Sequence, residues 1–296
     1  MSEHKSITVF TPTFNRAYCL GQLYESLVRQ TNSDFIWMII DDGSSDNTNE
    51  LVQSWIDEQK IAIHYIYQNN QGMHGAHNTA YQNITTWLNV CIDSDDFMPN
   101  DAIECILSHK EELKNDQLAG LIALDANKEG TILGTTIPLE IKTARLNDLY
   151  YKHQVSGDKK VVIKTEVVKK FPLYPIYKGE KLVPLGTLYL LIDQQYQWLC
   201  TNDVLCIVEY LPDGSSNTIL KQYKVSPRGF GYSRIVKMKY APTFSEKIKS
   251  AIHLVSSAIF AKDAKLLLQS PNIILTLLAI PFGVALNFYI RYKTSS

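Results

Sequence analysis

The sequence Asn89-Val90-Cys91-Ile92-Asp93-Ser94-Asp95-Asp96 joins an apolar run to three carboxylates within four positions. Carboxylates gathered beside a buried strand are unfavourable, because they repel one another and lose hydration. A divalent cation removes that cost, since Mg²⁺ and Mn²⁺ prefer hard oxygen ligands. The stretch therefore predicts a metal site for a phosphate-bearing substrate, with a solvated acidic turn as the alternative.

The residues before this stretch alternate between strand and helix patterns. Residues 7–10, 35–40 and 61–67 are short apolar or β-branched runs, each typical of a strand. The segments between them carry apolar residues at helical spacing. Such alternation predicts an α/β sheet flanked by helices. The first helix pattern places four residues on one face: Leu20, Leu23, Leu27 and Val28.

Polar segments follow three of the predicted strands, at residues 11–16, 41–46 and 93–96. We expect the first strand to stop at Pro12, which cannot donate to a strand ladder. In α/β sheets, ligands bind outside the carboxyl ends of the strands. The three segments therefore predict a binding site at one edge of the sheet.

A fourth polar segment, residues 69–80, contains Gly72, His74, His77 and Asn78. Glycine allows a ligand close to the backbone, and the other three side chains are potential donors to phosphate or sugar oxygens. The alternative is a flexible loop with surface histidines that leads into a helix. No third ligand lies at a persuasive spacing from the two histidines, so we do not expect zinc here.

The composition excludes several classes of protein. The chain has 296 residues, is 45% hydrophobic and carries a net charge of −1, which gives no indication of a nucleic-acid partner. Its five cysteines are scattered and lack CxxC spacing, which favours reduced thiols over a disulfide framework. The cysteine pattern also favours a cytoplasmic setting, and the first residues lead into a strand pattern without the apolar region of a signal peptide.

Beyond Asp96 the pattern is looser, and residues 133–150 carry no clear signal. We expect helices and strands to alternate again there, with helices at 102–113, 166–170 and 188–196 and strands at 118–124, 160–165 and 204–210.

The C-terminal segment has no charged residue between Lys265 and Arg291. Its length is close to the roughly 20 apolar residues that a bilayer span needs. Pro281 and Gly283 interrupt it, which suits a kinked or re-entrant hairpin as well as a span. The alternative is a helix packed in an apolar groove. We expect residues 251–296 to be a membrane-associating tail, and residues 216–250 to be a linker or amphipathic region. Six flanking residues favour anionic headgroups: Lys247, Lys249, Lys262, Lys265, Arg291 and Lys293.

Roughly the first hundred residues resemble the family 2 glycosyltransferases, which have the GT-A fold. The matching segments are Thr11-Pro12-Thr13-Phe14-Asn15-Arg16, Asp41-Asp42-Gly43-Ser44-Ser45-Asp46, Asn70-x-Gly72 with Ala76-His77-Asn78, and Asp93-Ser94-Asp95-Asp96. The tract Glu209-Tyr210-Leu211-Pro212-Asp213-Gly214 also resembles a bacterial surface-polysaccharide branch.

The resemblance implies a GT-A-like domain over residues 1–215, with a donor half at about 1–124 and an acceptor half at about 125–215. It implies metal-dependent transfer of a sugar, with inversion, from a nucleotide-sugar to an acceptor hydroxyl. The process would be cell-surface polysaccharide assembly, with a saccharide or lipid-linked saccharide as acceptor, at the cytoplasmic face of the cell membrane.

The resemblance also assigns roles to individual residues. Thr11, Pro12, Thr13 and Phe14 match the segment that lines the base pocket, with Asn15 and Arg16 at its rim. Asp42 matches the carboxylate that accepts hydrogen bonds from the base. Asp93 and Asp95 match the DxD pair that binds Mn²⁺ or Mg²⁺. The remaining matches to the nucleotide-sugar site are Gly72, His77, Asn78 and Ser94.

Two positions depart from the family pattern. His77 stands where many members carry Arg, and Leu185 follows Pro184 where relatives of this branch carry Glu. Inverting transfer needs a carboxylate to take the acceptor's proton. Glu180 is the nearest candidate, ahead of Asp193. The alternative function is a membrane-anchored, non-catalytic sugar-nucleotide binder. We disfavour nucleotidyl transfer, because residues 11–16 are not a Gly-rich basic loop, and a dehydrogenase, because no GxGxxG follows a strand.

Overall fold

The computed structural model describes residues 5–209 and 218–295, which form two compact units. Among the described residues, the sheet unit contains 5–70, 76–172 and 195–209, and the helical unit contains 71–75, 173–194 and 218–295. Residues 173–194, which we had placed in one domain ending near 215, are therefore grouped with the C-terminal helices. That boundary, and most of the tract 209–214, lies outside the described residues.

The sheet unit is built on a mixed sheet that has eight strands among the described residues, in the order β3-β2-β1-β4-β7-β5-β8-β6. The four strands β1 to β4 are mutually parallel, and β7 runs antiparallel between β4 and β5. The predicted α/β sheet is confirmed. The strands are β1 (Ile7–Thr13), β2 (Phe35–Asp41), β3 (Ile63–Tyr67), β4 (Leu88–Cys91), β5 (Leu118–Ala126), β6 (Thr143–Ala144), β7 (Lys159–Lys164) and β8 (Gln197–Ile207).

The first strand continues past Pro12, contrary to the prediction. Pro12 lies opposite Ile40 of β2, and β1 ends only at Thr13. On its other side β1 pairs with β4 only as far as Phe10, whose carbonyl accepts from the amide of Ile92. The nitrogen of Pro12 points to this second side because residues alternate along a strand. Pro12 lies beyond Phe10, the last residue of β1 that pairs with β4. The missing N–H of Pro12 therefore costs the sheet no hydrogen bond.

The order of the strands fixes where a ligand can bind. From β1 the chain adds β2 and β3 on one side and then returns to place β4 on the other. The carboxyl ends of β1 and β4 therefore flank the point at which the winding reverses, the usual place for a ligand in such sheets.

Helices cover the sheet with apolar faces. Leu20, Leu23 and Leu27 of the first helix are buried as predicted, whereas Val28 at its last position is 37% exposed. Tyr24 stacks on Trp55 with ring centroids 4.4 Å apart. The helices in this part of the chain are α1 (Ala17–Val28), α2 (Thr48–Glu58), α3 (Met73–Asn83), α4 (Ala102–Ser108), α5 (Leu146–Tyr151) and α6 (Thr165–Val168).

Later elements differ from the prediction mainly in length. The helix predicted at 102–113 ends at Ser108 and is followed by a separate 3₁₀ turn, Glu112–Lys114. Strand β8 begins at Gln197 instead of 204, because it pairs with most of β5 as well as with β6.

The helical unit contains α7 (Gly186–Ile192), α8 (Ile219–Val225), α9 (Pro227–Tyr240), α10 (Phe244–Ala261), α11 (Lys265–Leu268), α12 (Ile273–Leu278) and α13 (Ile280–Lys293). Helices α8 and α9 and the start of α10 occupy most of the region predicted as a linker. A buried apolar cluster that includes Leu254, Val255 and Leu266 holds this unit together.

The predicted tail forms three short helices after α10. Pro281 lies in the first turn of α13, so it begins a helix rather than kinking one. Among the described residues, no helix combines the length and the apolar character needed to cross a bilayer.

We expect the helical unit to lose stability in mild acid because of His253. Burial, together with the nearby positive charges of Arg234 and Lys237, lowers the pKa of His253 to about 4. Between the ordinary pKa near 6.5 and this value, the unfolded chain binds a proton that the folded chain does not. The free energy of unfolding should therefore fall by roughly 1–3 kcal/mol as the pH drops from about 7 to about 4. Urea titrations of the parent and His253→Gln would check this: an equal pH dependence in both proteins would contradict it.

Candidate active site

Asn15 ties the loop after β1 to the loop after β2. It has a left-handed backbone with φ of 54°. Its side-chain oxygen accepts from the amide of Ser45 at 2.7 Å, and its own amide donates to the Ser44 hydroxyl at 2.9 Å. We had placed Asn15 at the rim of a base pocket. The structure gives it the further task of holding two of the predicted site loops together.

The two carboxylates that end β2 have different partners. Asp41 accepts from the Ser44 amide at 2.7 Å and from the Tyr65 hydroxyl at 2.6 Å, so it stabilises the turn itself. Asp42 is also buried, and its Oδ1 accepts from the side-chain amide of Gln68 at 2.6 Å. Gln68 in turn accepts from Thr79 on α3. Asp42 is thus held in one orientation at the strand end, as a base-recognising carboxylate has to be.

Arg16 and Asp95 connect the loop after β1 to the acidic loop after β4. A guanidinium nitrogen of Arg16 lies 3.2 Å from Oδ2 of Asp95, and about a fifth of each side chain is exposed. The side chain of Gln22 on α1 donates to the Asp95 carbonyl at 2.6 Å. The loops after β1 and β4, which are 79 residues apart in sequence, therefore meet at the point where the sheet reverses its winding.

The residues at the end of β1 and directly after it divide between the core and the surface. The Thr11 hydroxyl accepts from the indole of Trp37 at 3.0 Å, which engages it in the core rather than in a pocket. The Thr13 hydroxyl is buried and has no hydrogen-bond partner among the described residues. Buried hydroxyls without a partner are rare and point to a ligand or water. The ring of Phe14 is 47% exposed, as a ring that stacks on a base requires.

Acidic groups gather behind the DxD pair around one lysine. The pKa of Asp96 is raised to about 7, chiefly by burial; Lys160 opposes this shift and the negative charge of Asp93 adds to it. The ammonium of Lys160 lies 3.9 Å from the carboxylate of Asp125, which is buried near the end of β5. Burial opposes the charge on Lys160, yet the acidic groups around it hold its pKa well above the ordinary value. Lys160 therefore compensates part of the negative charge at this edge of the sheet.

Asp93 and Asp95 fit a divalent cation that a ligand helps to hold. They offer hard oxygen donors two residues apart, the donor type that Mg²⁺ and Mn²⁺ prefer. Among the described residues, no three or more His, Cys, Asp or Glu side chains are grouped so as to hold a metal by themselves. The remaining positions would be filled by water and by a diphosphate, which Mg²⁺ commonly shares with one or two carboxylates.

Several residues predicted to contact the nucleotide-sugar are instead packed against other parts of the protein. His77 is buried in α3, with its ring edge-on to Phe10 at 5.1 Å and to Tyr81 at 5.9 Å. Gly72 has φ of +83°, and a Cβ there would lie 2.0 Å from the carbonyl oxygen of Lys181. Because Gly72 has no side chain, the backbone of Lys181 can pack directly against it. Asn78 and Ser94 are buried as well, and the ligand contacts predicted for all four residues remain predictions.

Glu180, predicted as the proton acceptor, lies at the start of helix α9. Its Oε1 accepts from the amide of Arg228 at 3.0 Å, and its Oε2 from the amide of Gly229 at 2.8 Å. The Arg228 guanidinium lies 3.8 Å away. A buried carboxylate with both oxygens bonded to the first turn of a helix acts as a cap for that helix. This geometry does not favour Glu180 as a general base, and that role remains a prediction. The alternative, Asp193, is buried directly after α7.

One substitution separates the two roles of Glu180. In Glu180→Gln one backbone amide of α9 faces an NH₂ group instead of an oxygen, so a charge-assisted hydrogen bond is lost. We expect the free energy of unfolding to fall by about 1–3 kcal/mol. Chemical denaturation measures this, and Glu129→Gln, at an exposed turn of the sheet unit, is the control. Unchanged stability together with lost turnover would instead make Glu180 the base.

The sequence analysis missed three residues that shape this site: Gln68, Asp125 and Lys160. Asp125 had a recognisable signal, since it directly follows the strand predicted at 118–124, much as Asp93 follows an apolar run. Lys160 had only a weak one, a charge at the start of an alternating strand. Gln68 had none, because its role depends on a pairing with Asp42 that the fold creates.

Comparison with known proteins places this geometry in a family. A family model described as glycosyl transferase family 2 matches residues 8–170, which is more than half of the chain. The chondroitin synthase of Escherichia coli is 30% identical over 130 residues, which are 43% of this chain and 18% of that relative. The chain thus matches less than a fifth of the length of such curated relatives.

Solved structures of two transferases share the fold. S. aureus TarS 1–349 in complex with UDP-GlcNAc superposes with a TM-score of 0.61 at 13% identity, covering 98% of this chain and 92% of that one. The mannosyltransferase PcManGT from Pyrobaculum calidifontis, in complex with GDP-Man and Mn²⁺, gives 0.56 at 16% identity, covering 97% and 88%. At such identities the likeness concerns the fold, and it confirms the predicted GT-A type.

Proposed function

The chain belongs to glycosyl transferase family 2, and on that basis we propose that it transfers a sugar from a nucleotide-sugar to an acceptor hydroxyl. The observation that carries the proposal is the meeting of three loops at one edge of the sheet. Asn15 bonds to the loop after β2, and Arg16 pairs with Asp95 in the loop after β4. A donor placed at this edge would have its base, its diphosphate and its sugar within reach of different loops.

The residues after β1 and β2 would bind the nucleoside. The exposed ring of Phe14 offers a face on which a base can stack. The buried hydroxyl of Thr13 and the carboxylate of Asp42 lie at the ends of neighbouring strands. Because Gln68 holds Asp42 in place, little ordering is left to occur when a base donates to it.

The residues after β4 would serve the diphosphate. Asp93 and Asp95 would hold a divalent metal, which when bound supplies Lewis-acid stabilisation of charge on the departing nucleotide. Arg16 adds a fixed positive charge beside Asp95. Mn²⁺ accompanies GDP-Man in the mannosyltransferase described above, which supports a divalent metal here.

Inversion at the anomeric carbon requires that a carboxylate accept the proton of the acceptor hydroxyl. We keep Glu180 and Asp193 as the two candidates for this role. The turnover of Glu180→Gln and of Asp193→Asn, each corrected for the fraction of the variant that is folded, decides between them. Loss of turnover in only one variant whose fold is intact identifies the base.

The acceptor is proposed to be a growing cell-surface saccharide, free or lipid-linked. The relative named as a chondroitin synthase supports a polysaccharide role, since it matches 43% of this chain.

A binding screen tests the proposal. Isothermal calorimetry with a panel of nucleotide-sugars, with and without Mn²⁺, should find one donor that binds more tightly with the metal. Asp93→Asn should remove the metal-dependent part of the affinity. Asp148→Asn, which breaks an exposed ion pair with Lys152, is the control for loss of one carboxylate. If no nucleotide-sugar binds, or if Mn²⁺ has no effect, the proposed site is wrong.

A further inference from the structure

The last three helices expose apolar side chains to an unusual degree. Ile274 is 74% exposed, Leu278 68% and Tyr292 76%. Soluble proteins expose single apolar residues freely, but a contiguous apolar surface marks a site of interaction with a protein or a membrane. We name residues 268–292 the apolar surface. Its exposed large side chains are Leu268, Ile273, Ile274, Leu277, Leu278, Ile280, Phe282, Phe288, Tyr289 and Tyr292.

Helix α13 exposes most of its large apolar side chains. A surface helix normally buries its apolar stripe and exposes its polar one. Here the buried positions include Gly283 and Asn287, and the Asn287 amide donates to the carbonyl of Ser256 on α10 at 3.3 Å. Apart from the charged Arg291 and Lys293 at its end and Ile280 at its start, the exposed positions of α13 are 281, 282, 285, 288, 289 and 292, which are Pro, Phe, Ala, Phe, Tyr and Tyr. This spacing gathers them on one face.

Helix α12 repeats the arrangement on a smaller scale. Thr276 is buried, and its hydroxyl bonds to Ser270 at 2.6 Å and to the Asn272 carbonyl at 3.0 Å. Ile274 and Leu278, one helical turn apart, face outward. Both helices therefore bury polar side chains that are hydrogen-bonded within the protein, and they leave most of their large apolar side chains exposed, with Ile290 as a buried exception.

The charge around this surface indicates what covers it. Residues 218–296 contain twelve Lys and Arg but only two Asp and Glu, a net charge of +10, whereas the whole chain carries −1. The apolar surface itself is free of charge up to Arg291. Exposed lysines lie at both ends of it, Lys262 and Lys265 before and Lys293 after. An apolar face bordered by basic residues complements a bilayer with anionic headgroups.

We propose that the apolar surface docks on an anionic membrane, with helices α12 and α13 lying in the interface. Their apolar side chains enter the acyl boundary, and the lysines at the two ends contact headgroup phosphates. Tyr289 and Tyr292 occupy the headgroup level, where aromatic rings with a polar end are enriched. This inference is independent of sugar transfer, since it rests on a different surface.

Vesicle sedimentation with the full chain tests the apolar contribution. The protein should partition onto vesicles of phosphatidylcholine and phosphatidylglycerol, and the double variant Leu278→Ser/Phe288→Ser should lower the partition constant about tenfold or more. The matched control Leu139→Ser/Leu173→Ser removes two exposed apolar side chains elsewhere and should bind as the parent does. Equal binding by both double variants would overturn the proposal.

A second pair of variants tests the charge. Lys265→Gln/Lys293→Gln should weaken binding to anionic vesicles by about fivefold for each residue and leave binding to pure phosphatidylcholine unchanged. Lys110→Gln/Lys142→Gln, in the sheet unit, is the control. Equal weakening in the two pairs would contradict the assignment.

Sedimentation velocity supplies the competing outcome. The competing result is that the parent does not bind vesicles but forms dimers, and that the dimers dissociate in Leu278→Ser/Phe288→Ser. In that case a second copy covers the apolar surface and the membrane proposal is wrong. Unchanged thermal unfolding in the variants confirms that the exposed positions carry no fold stability. Nucleotide-sugar binding measured in parallel separates failure of this proposal from failure of the catalytic one.

Discussion

Asp95→Asn is expected to abolish metal-dependent sugar transfer and leave the fold intact. The substitution keeps the shape of the side chain but removes the charge that would bind a divalent cation. It also removes the charged partner of Arg16 at 3.2 Å. Because a bound metal contributes several kcal/mol of transition-state stabilisation, turnover should fall by about 10³-fold or more. Initial rates across a Mn²⁺ titration measure this.

The control for this variant is Asp148→Asn, which removes a carboxylate from an exposed pair far along the sequence. It should transfer sugar at the parental rate. Donor affinity should weaken in Asp95→Asn only when metal is present. A parental rate in Asp95→Asn at every Mn²⁺ concentration would show that Asp95 does not serve the metal.

Asp42→Asn is expected to weaken donor binding by about 1–3 kcal/mol, because a charge-assisted hydrogen bond to the base becomes a neutral one. The amide oxygen of the variant can still accept from Gln68, so the strand end should keep its conformation. Calorimetry with the free nucleoside diphosphate measures the loss without involving the sugar or the acceptor.

A companion variant isolates the role of orientation. Gln68→Met removes the donor that holds Asp42 but leaves the carboxylate, so it should weaken nucleotide binding less than Asp42→Asn does. Unchanged affinity in Asp42→Asn would place the base elsewhere at this edge of the sheet.

The parts of the fold that depend on local pattern were predictable. Buried runs such as 35–40 and polar breaks such as 93–96 appear in the sequence itself, and sheet geometry then brings the loops to one edge. The extent of β1 was not predictable from Pro12 alone, since it depends on where β4 stops pairing. Val28 has the spacing of the buried face of α1, but it is the last residue of the helix and its side chain is partly exposed.

The parts of the site that depend on long-range contacts were not predictable. Thr11 was assigned to a pocket, but its hydroxyl bonds to Trp37, 26 residues away. Glu180 is predicted as the proton acceptor because it is the carboxylate nearest to Leu185, yet its oxygens bond to amides 48 and 49 residues later. Such partners follow from tertiary packing, which the spacing of residue types in one sequence does not encode.

The most direct test of the central claim is the release of nucleoside diphosphate from the donor that the binding screen identifies. Purified protein is incubated with that donor, a saccharide acceptor panel and Mn²⁺, and the products are followed by mass spectrometry. We predict metal-dependent release of nucleoside diphosphate with addition of one sugar to an acceptor, lost in Asp95→Asn. Tight donor binding without release for any acceptor would contradict the account and indicate a non-catalytic sugar-nucleotide binder.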